Sequence, residues 1–249
     1  MPALESEFLQ RPLAHRALHD RTEGRIENSL LAIEAACQHG YGIEIDVQLS
    51  QDNTAMVFHD DQLDRLTPAA GLVAAWTSDQ LTSTPLTDST DTIPTLDAVL
   101  SCVAGRVPLV IELKDQHATA RNTALAQAVA NTLAAYQGPV ALMSFSPVIM
   151  HALAPICPNL PRGLVSYDYA ADAACTLPKA LQDHLTQMRD YDAVGASFIS
   201  YRWQDLPHPA VAQIKAKGGA ILCWTTKSPA DDTIARQIAD NVTFEGYLP

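Results

Sequence analysis

The first residues whose spacing could do chemistry are two acids set two apart in an apolar run, Ile43-Glu44-Ile45-Asp46-Val47. On a strand, alternate side chains share a face, so Glu44 and Asp46 point one way and Ile43, Ile45 and Val47 the other. If the apolar face packs against helices, the acids face the interior of a barrel. Two carboxylates there, without partners, would repel each other and lose hydration. A divalent cation that prefers oxygen ligands, Mg2+ or Ca2+, relieves both costs. The competing reading is a solvent-facing acidic edge strand. A second run, Leu109-Val110-Ile111-Glu112-Leu113-Lys114, puts Glu112 and Lys114 on one face. Taken alone, it fits an ion pair at a strand terminus equally well.

Two histidines end strand-like runs near the carboxylate strand: His15, followed by Arg16, and His59, followed by Asp60-Asp61. Imidazole titrates near neutral pH, so such a pair can divide general-base and general-acid work. The other histidines (19, 39, 117, 151, 184 and 208) fall in loops or helices and are read as structural or surface groups. The chain has no H-E-x-x-H, no His-x-His pair, no G-x-S-x-G, no G-x-G-x-x-G in its first strand–helix turn and no G-x-x-x-x-G-K-[ST]. What remains is a carboxylate-held hard cation with two histidines, an arginine and a lysine. That set suits phosphate esters, with cations neutralising phosphate oxygens while histidines move protons.

The elements that must position these groups alternate along the chain. Strand-like runs occur at 13–17, 42–49, 55–59, 108–114, 140–145, 163–167, 194–199, 220–225 and 242–247, with amphipathic stretches between most of them. Leu125, Val129, Leu133 and Tyr136 make one apolar stripe, and Leu30, Ile33 and Cys37 another. Ser228-Pro229 with Asp231 and Asp232 marks a helix start. Such alternation implies parallel strands joined by crossovers, and about eight units favour a closed (β/α)8 TIM barrel. The expected organisation is a single barrel domain over residues 1–249. The polar stretch at about 61–107, rich in Thr, Ser, Asp and Pro, reads as a small insertion after the second strand region that partly covers the site.

Composition narrows the partners. A formal net charge of −12, with no basic cluster, argues against nucleic acid and anionic membranes. With 47% apolar and 18% charged residues the chain is globular rather than disordered. The five cysteines are widely spaced and form no CxxC, which fits reduced thiols in a cytoplasmic protein. The acidic N-terminal residues do not form a secretory signal, and no apolar run is long enough for a membrane span. The oligomeric state leaves no signature.

The order of motifs resembles the glycerophosphodiester phosphodiesterase family. It runs through Ala14-His15-Arg16, Glu27-Asn28, Glu44-Ile45-Asp46, His59-Asp60-Asp61 with Leu63-Asp64-Arg65 and Thr67, Ile93-Pro94-Thr95-Leu96 and Glu112-Leu113-Lys114, then Ser144-Phe145 and Trp224-Thr225. By position, the resemblance implies that Glu44, Asp46 and Glu112 ligate Mg2+ or Ca2+, with Glu27 as a possible fourth. It makes His15 and His59 the acid–base pair and Arg16 and Lys114 the phosphate-binding residues, with Trp224 an additional candidate. The implied reaction cleaves a small-molecule glycerophosphodiester to sn-glycerol 3-phosphate and an alcohol. A lysophospholipase D acting on longer lipids, with Leu72, Val73 and Trp76 as an apolar groove, and a barrel that binds phosphodiesters without cleaving them are the rival readings. Three features depart from the family pattern: Ala17 stands where a glycine often follows His-Arg, the segment from His15 to Glu27 is longer and charged, and the C-terminal Phe244-Glu245-Gly246-Tyr247-Leu248-Pro249 lacks a frequent Thr-Asp before the final proline.

Overall fold

A computed structural model describes residues 2–249. Nine strands follow one another as β1 (Leu13–Ala14), β2 (Gly42–Leu49), β3 (Ala55–Val57), β4 (Leu109–Leu113), β5 (Val140–Ser144), β6 (Arg162–Ser166), β7 (Phe198–Arg202), β8 (Ala220–Thr226) and β9 (Asn241–Phe244). All but β3 pair in parallel, each with its successor in the barrel, and β1 pairs with both β2 and β9, so eight strands close into a TIM barrel. Strand β3 pairs antiparallel with the end of β2, Val47 facing Val57 and Leu49 facing Ala55.

The period-two pattern sorts side chains into two layers. Ile43, Ile45 and Val47 on β2, with Ile111 and Leu113 on β4, pack under helices that contribute Ala32, Ile33, Ala36, Leu125 and Val129. The opposite faces supply the barrel interior: Leu13, Val110, Ala141, Met143, Val165, Phe198 and Leu222. The ring of Phe198 fits because Gly163 lies across from it, and a Cβ built on Gly163 would sit 2.3 Å from that ring. Below this layer the N-terminal helix Glu7–Gln10 inserts the fully buried Phe8. Asn241 Nδ2 donates to the carbonyls of Phe8 (2.7 Å) and Arg11 (2.6 Å), fastening that helix to the start of β9. The sequence reading did not anticipate this short helix.

Local signals account for most helix ends. Ser29 caps the helix Leu30–His39 by accepting from the Ala32 N–H, and Gly40 ends it at φ +73°. Ser228 does the same for Pro229–Ala235, with Pro229 in the first turn, as its sequence predicts. Several strands differ from their expected bounds by a residue or two, and β1, β7 and β9 by three or more at one end or both; β9 ends at Phe244, not Tyr247. Strand β1 stops at Ala14 because Arg16 and Ala17 take left-handed φ of +52° and +66°. Strand β7 begins at Phe198, not Val194, because residues before it form turns and Gly195 has φ +66°. From the segment between β3 and β4, Phe58, Leu63, Leu66, Val73, Leu81, Leu86 and Ile93 join Ile26 and Met56 in a small apolar cluster of their own. No helix among the described residues is long and apolar enough to cross a membrane.

Gly163→Val is expected to lower the unfolding free energy by about 1–3 kcal/mol, since the added carbons must displace a packed aromatic ring. Urea unfolding followed by tryptophan fluorescence measures it, and an unchanged midpoint would mean that the barrel floor is looser than the Gly163–Phe198 contact implies.

Candidate active site

The inner face of β2 reads Glu44, Asp46, Gln48 from the barrel core to its mouth, and each is buried. Asp46 stands directly beside Glu112 in the β2–β4 register. One carboxylate oxygen from each of Glu44, Asp46 and Glu112 lies within 4.8 Å of the others. The three acids expose only 2%, 2% and 7% of their surface, so water does little to screen them. Burial, with the charges of Asp46 and Glu112, pushes the Glu44 carboxyl well above the usual range. Burial also raises Glu112, against the pull of Lys114. For Asp46, burial opposes ionisation but is outweighed by Lys114, His59, Arg16 and a hydrogen bond from Asn28, so its carboxyl is held low. A three-carboxylate donor set of this kind fits a hard divalent ion.

Two cations lean on the acids. Lys114 Nζ lies 3.0 Å from Glu112 Oε1 and 3.5 Å from Asp46 Oδ1. Arg16 Nε lies 3.6 Å from Asp46 Oδ2, and the Arg16 backbone N–H donates to Glu44 Oε2 at 3.0 Å. That last bond needs the left-handed turn at Arg16 and Ala17, which explains why glycine suits the position of Ala17. Asn28, also left-handed, donates through Nδ2 to Asp46 Oδ2 at 3.0 Å.

Both histidines are anchored through Nδ1. His15 Nδ1 lies 2.6 Å from Glu245 Oε2, and His59 Nδ1 lies 2.7 Å from Asp60 Oδ1. A carboxylate at Nδ1 favours the tautomer with its proton there and leaves Nε2 free. Burial lowers the pKa of both rings, against the raising effect of the Glu245 hydrogen bond on His15 and of Asp46 on His59. Gln48 Nε2 donates to the carbonyls of Phe58 (2.9 Å) and Asp60 (2.7 Å), holding the turn that carries His59. A cavity of about 150 Å³ joins His15, Arg16, Glu44, Asp46, His59, Glu112 and Lys114, walled by Met143, Phe145, Val165, Trp224 and Thr243.

The structure thus brings seven of the nine sequence-derived candidates around one cavity, with Trp224 as an eighth in its wall. There the indole N–H of Trp224 donates to the Ser200 carbonyl (3.2 Å) and its ring meets Phe145 edge-on. Glu27 stands apart from the three-acid group: Arg16 and Arg65 take its oxygens at 2.7–2.9 Å. Arg65 also grips Asp60 at 2.5 and 2.9 Å, so a chain of charged hydrogen bonds runs from Arg16 to His59. His19 approaches Glu245 (3.8 Å), and His117 is an exposed partner of Asp61. Sequence reasoning gave no role to Glu245, Asp60 or Arg65. Extending the inner face of β9, Asn241 and Thr243, by one more step would have pointed to Glu245.

A family model described as "Glycerophosphoryl diester phosphodiesterase family" matches residues 15–243. The chain belongs to that family. Among curated relatives of this family member, a Bacillus altitudinis protein named "Glycerophosphodiester phosphodiesterase" is 32% identical over 118 residues, 45% of this chain and 48% of the relative. The match thus spans about half of that relative's length. A Mycobacterium tuberculosis protein named "Probable glycerophosphodiester phosphodiesterase 1" is 27% identical over 248 residues, covering 91% of this chain and 85% of the relative. Among solved structures, an Oleispira antarctica phosphodiesterase in complex with the product sn-glycerol-3-phosphate shares the barrel at TM-score 0.77 and 23% identity, covering 96% of this chain and 93% of that one.

For this member of the family, the raised Glu44 carboxyl has two measurable consequences. A carboxyl whose folded pKa lies above its unfolded value stabilises the fold only at low pH, and that contribution is lost as pH rises through the folded value. At neutral pH Glu44 therefore weakens the metal-free protein, and Glu44→Gln is expected to raise its Tm by about 2–4 °C. Scanning calorimetry in chelator checks this; a lower Tm would mean that the charge is already compensated. A divalent ion held by Glu44 would compete with a proton for its raised carboxyl, so titration calorimetry with Mg2+ in buffers of different ionisation heat is expected to show proton release and tighter binding at higher pH. Affinity independent of pH between 6 and 8 would contradict it.

Proposed function

We propose that the chain hydrolyses small glycerophosphodiesters to sn-glycerol 3-phosphate and an alcohol. The observation that carries this reading is the convergence on one cavity of three buried acids, two cations and two histidines with free Nε2 atoms. The names of the relatives, and the product bound in the Oleispira antarctica structure, support the choice of substrate class. In this reading the barrel works as one unit; within residues 61–107, Leu63 to Ile93 supply the small separate cluster, while helix Leu96–Val103 packs into the main core.

Glu44, Asp46 and Glu112 would hold the cation, Mg2+ or Ca2+, which supplies charge neutralisation at the phosphate oxygens when bound. Arg16 and Lys114 draw in the phosphodiester anion and fix its non-bridging oxygens. One histidine takes the proton of the attacking oxygen at Nε2, and the other delivers a proton to the departing alkoxide. The P–O bond to the alcohol breaks as the new one forms, whether the nucleophile is water or the neighbouring glycerol hydroxyl through a cyclic phosphate. A binding module would need no pair of proton carriers. The longer-lipid alternative finds little support, since Val73 is buried and neither it, Leu72 nor Trp76 lines the cavity. The five free cysteines fit a reducing compartment such as the cytoplasm.

His15→Ala and His59→Ala are each expected to lower kcat on glycerophosphocholine by about 100-fold or more. Near-normal turnover by both purified variants would refute the acid–base assignment. Chelation is expected to abolish release of sn-glycerol 3-phosphate, and Mg2+ or Ca2+ to restore it, in a product assay that includes lysophosphatidylcholine as the competing substrate. Activity that survives chelation, or that prefers the lysolipid, would overturn the corresponding part of the proposal.

A further inference from the structure

Glu245 follows the last barrel strand, one step beyond the inward-facing Asn241 and Thr243. The β1–β9 ladder pairs Ala14 with Phe244, and the His15 N–H donates to the Phe244 carbonyl at 2.9 Å. The next step of that register sets His15 beside Glu245. The Glu245 N–H is in turn tied to the Thr226 carbonyl of β8 at 3.0 Å, so the backbone beneath the carboxylate is held on both sides. The side chain has one oxygen at His15 Nδ1 (2.6 Å) and the other at Lys227 Nζ (2.6 Å), with His19 Nε2 3.8 Å away. Glu245 does not line the cavity with the three acids, whereas His15 does. Its carboxylate therefore reaches the reaction through the imidazole.

We propose that Glu245 is the positioning residue of His15: its carboxylate fixes the Nδ1–H tautomer and the ring plane, aiming Nε2 into the cavity. The inference rests on the acid–base role proposed above for His15. His59 has the same arrangement with its chain neighbour Asp60, but His15 takes its partner from the far end of the chain, 230 residues away. Lys227 holds the second oxygen of Glu245 and keeps the carboxylate from rotating off the ring. An anionic partner also stabilises the imidazolium that forms when His15 accepts a proton.

The test is a mutant cycle in the Mg2+-loaded protein with glycerophosphocholine. Glu245→Gln keeps an oxygen but removes the charge, and Glu245→Asp keeps the charge on a shorter arm. Glu245→Gln is expected to lower kcat by about 10- to 1000-fold, with KM within about 3-fold of wild type and Glu245→Asp in between. In the His15→Ala background the same change is expected to cost less than about 3-fold, because the group it acts through is gone. Nitrogen-15 shifts of the His15 ring, which need no turnover, are expected to report a protonated Nδ1 in the wild type and a mixed tautomer in Glu245→Gln. The proposal falls if Glu245→Gln leaves kcat or the tautomer unchanged, or if it lowers the residual rate of His15→Ala by the same factor as the wild type. If His15→Ala turns over normally, the acid–base reading of His15 fails and this proposal with it; if His15→Ala collapses and Glu245→Gln does not, this proposal alone fails. Should Glu245→Gln not fold, Glu245→Asp completes the same cycle.

Discussion

Three carboxylates in one buried spot repel each other, and nearly every other feature of the mouth answers that repulsion. Asp46 and Glu112 are neighbours in the β2–β4 register, and Glu44 lies one pleat deeper on the same face. A slip of one residue in either strand would send its acids into the apolar layer beneath the helices. The register is protected by what that slip would do to Ile43, Ile45, Val47, Ile111 and Leu113, all fully buried on the outer face. Side chains that do no chemistry thus hold the acids where they are. Lys114 and Arg16 offer two positive charges to three carboxyls, and the raised Glu44 marks the repulsion that they leave uncovered.

The second tier of contacts shows how a barrel fixes flexible side chains. Strand β3 folds back on β2 and delivers His59 to the rim, and Gln48, the next inward residue after Asp46, ties down the turn that follows. Arg65 reaches in from beyond β3 and joins Asp60 to Glu27, and Glu27 joins Arg16. The Asp60 carboxyl is driven down to about 2, its burial overcome by Arg65 and His59, so it stays ionised as a partner for the imidazole. Arg65 is close to half exposed, and as an isolated surface pair it would contribute little. Its effect is geometric, because one planar guanidinium fixes two carboxylates that each hold another functional side chain.

The parts of this design that were legible in the sequence are those encoded within a few residues. Alternation in Ile43–Val47 and Leu109–Lys114 showed which way the acids face, and the number of strand–helix units pointed to closure. Partner choice across the chain was not legible. Glu27 follows a loop and precedes a helix cap, which says nothing of two arginines. Glu245 belongs with His15 only because β9 closes against β1, a fact of topology that no local pattern carries. The offset of β7 has a similar origin: Val194 and Ala196 are apolar because turns pack them under helices, and their composition mimics a strand. Left-handed backbone at Arg16, Ala17 and Asn28 was equally hidden, since none of them is glycine.

The plug at the barrel floor limits traffic. Phe8, with Leu4, Leu13 and Phe198 around it, fills the N-terminal end, and Asn241 clasps the helix that carries Phe8. Among the described residues the cavity is closed at that end, and toward the rim it shares His59 and Lys114 with one cleft and His15, Arg16 and Trp224 with another that Lys227 also lines. On the proposed reaction, both products would leave past the rim groups that admitted the substrate. Egress would then depend on how firmly those side chains hold an anion.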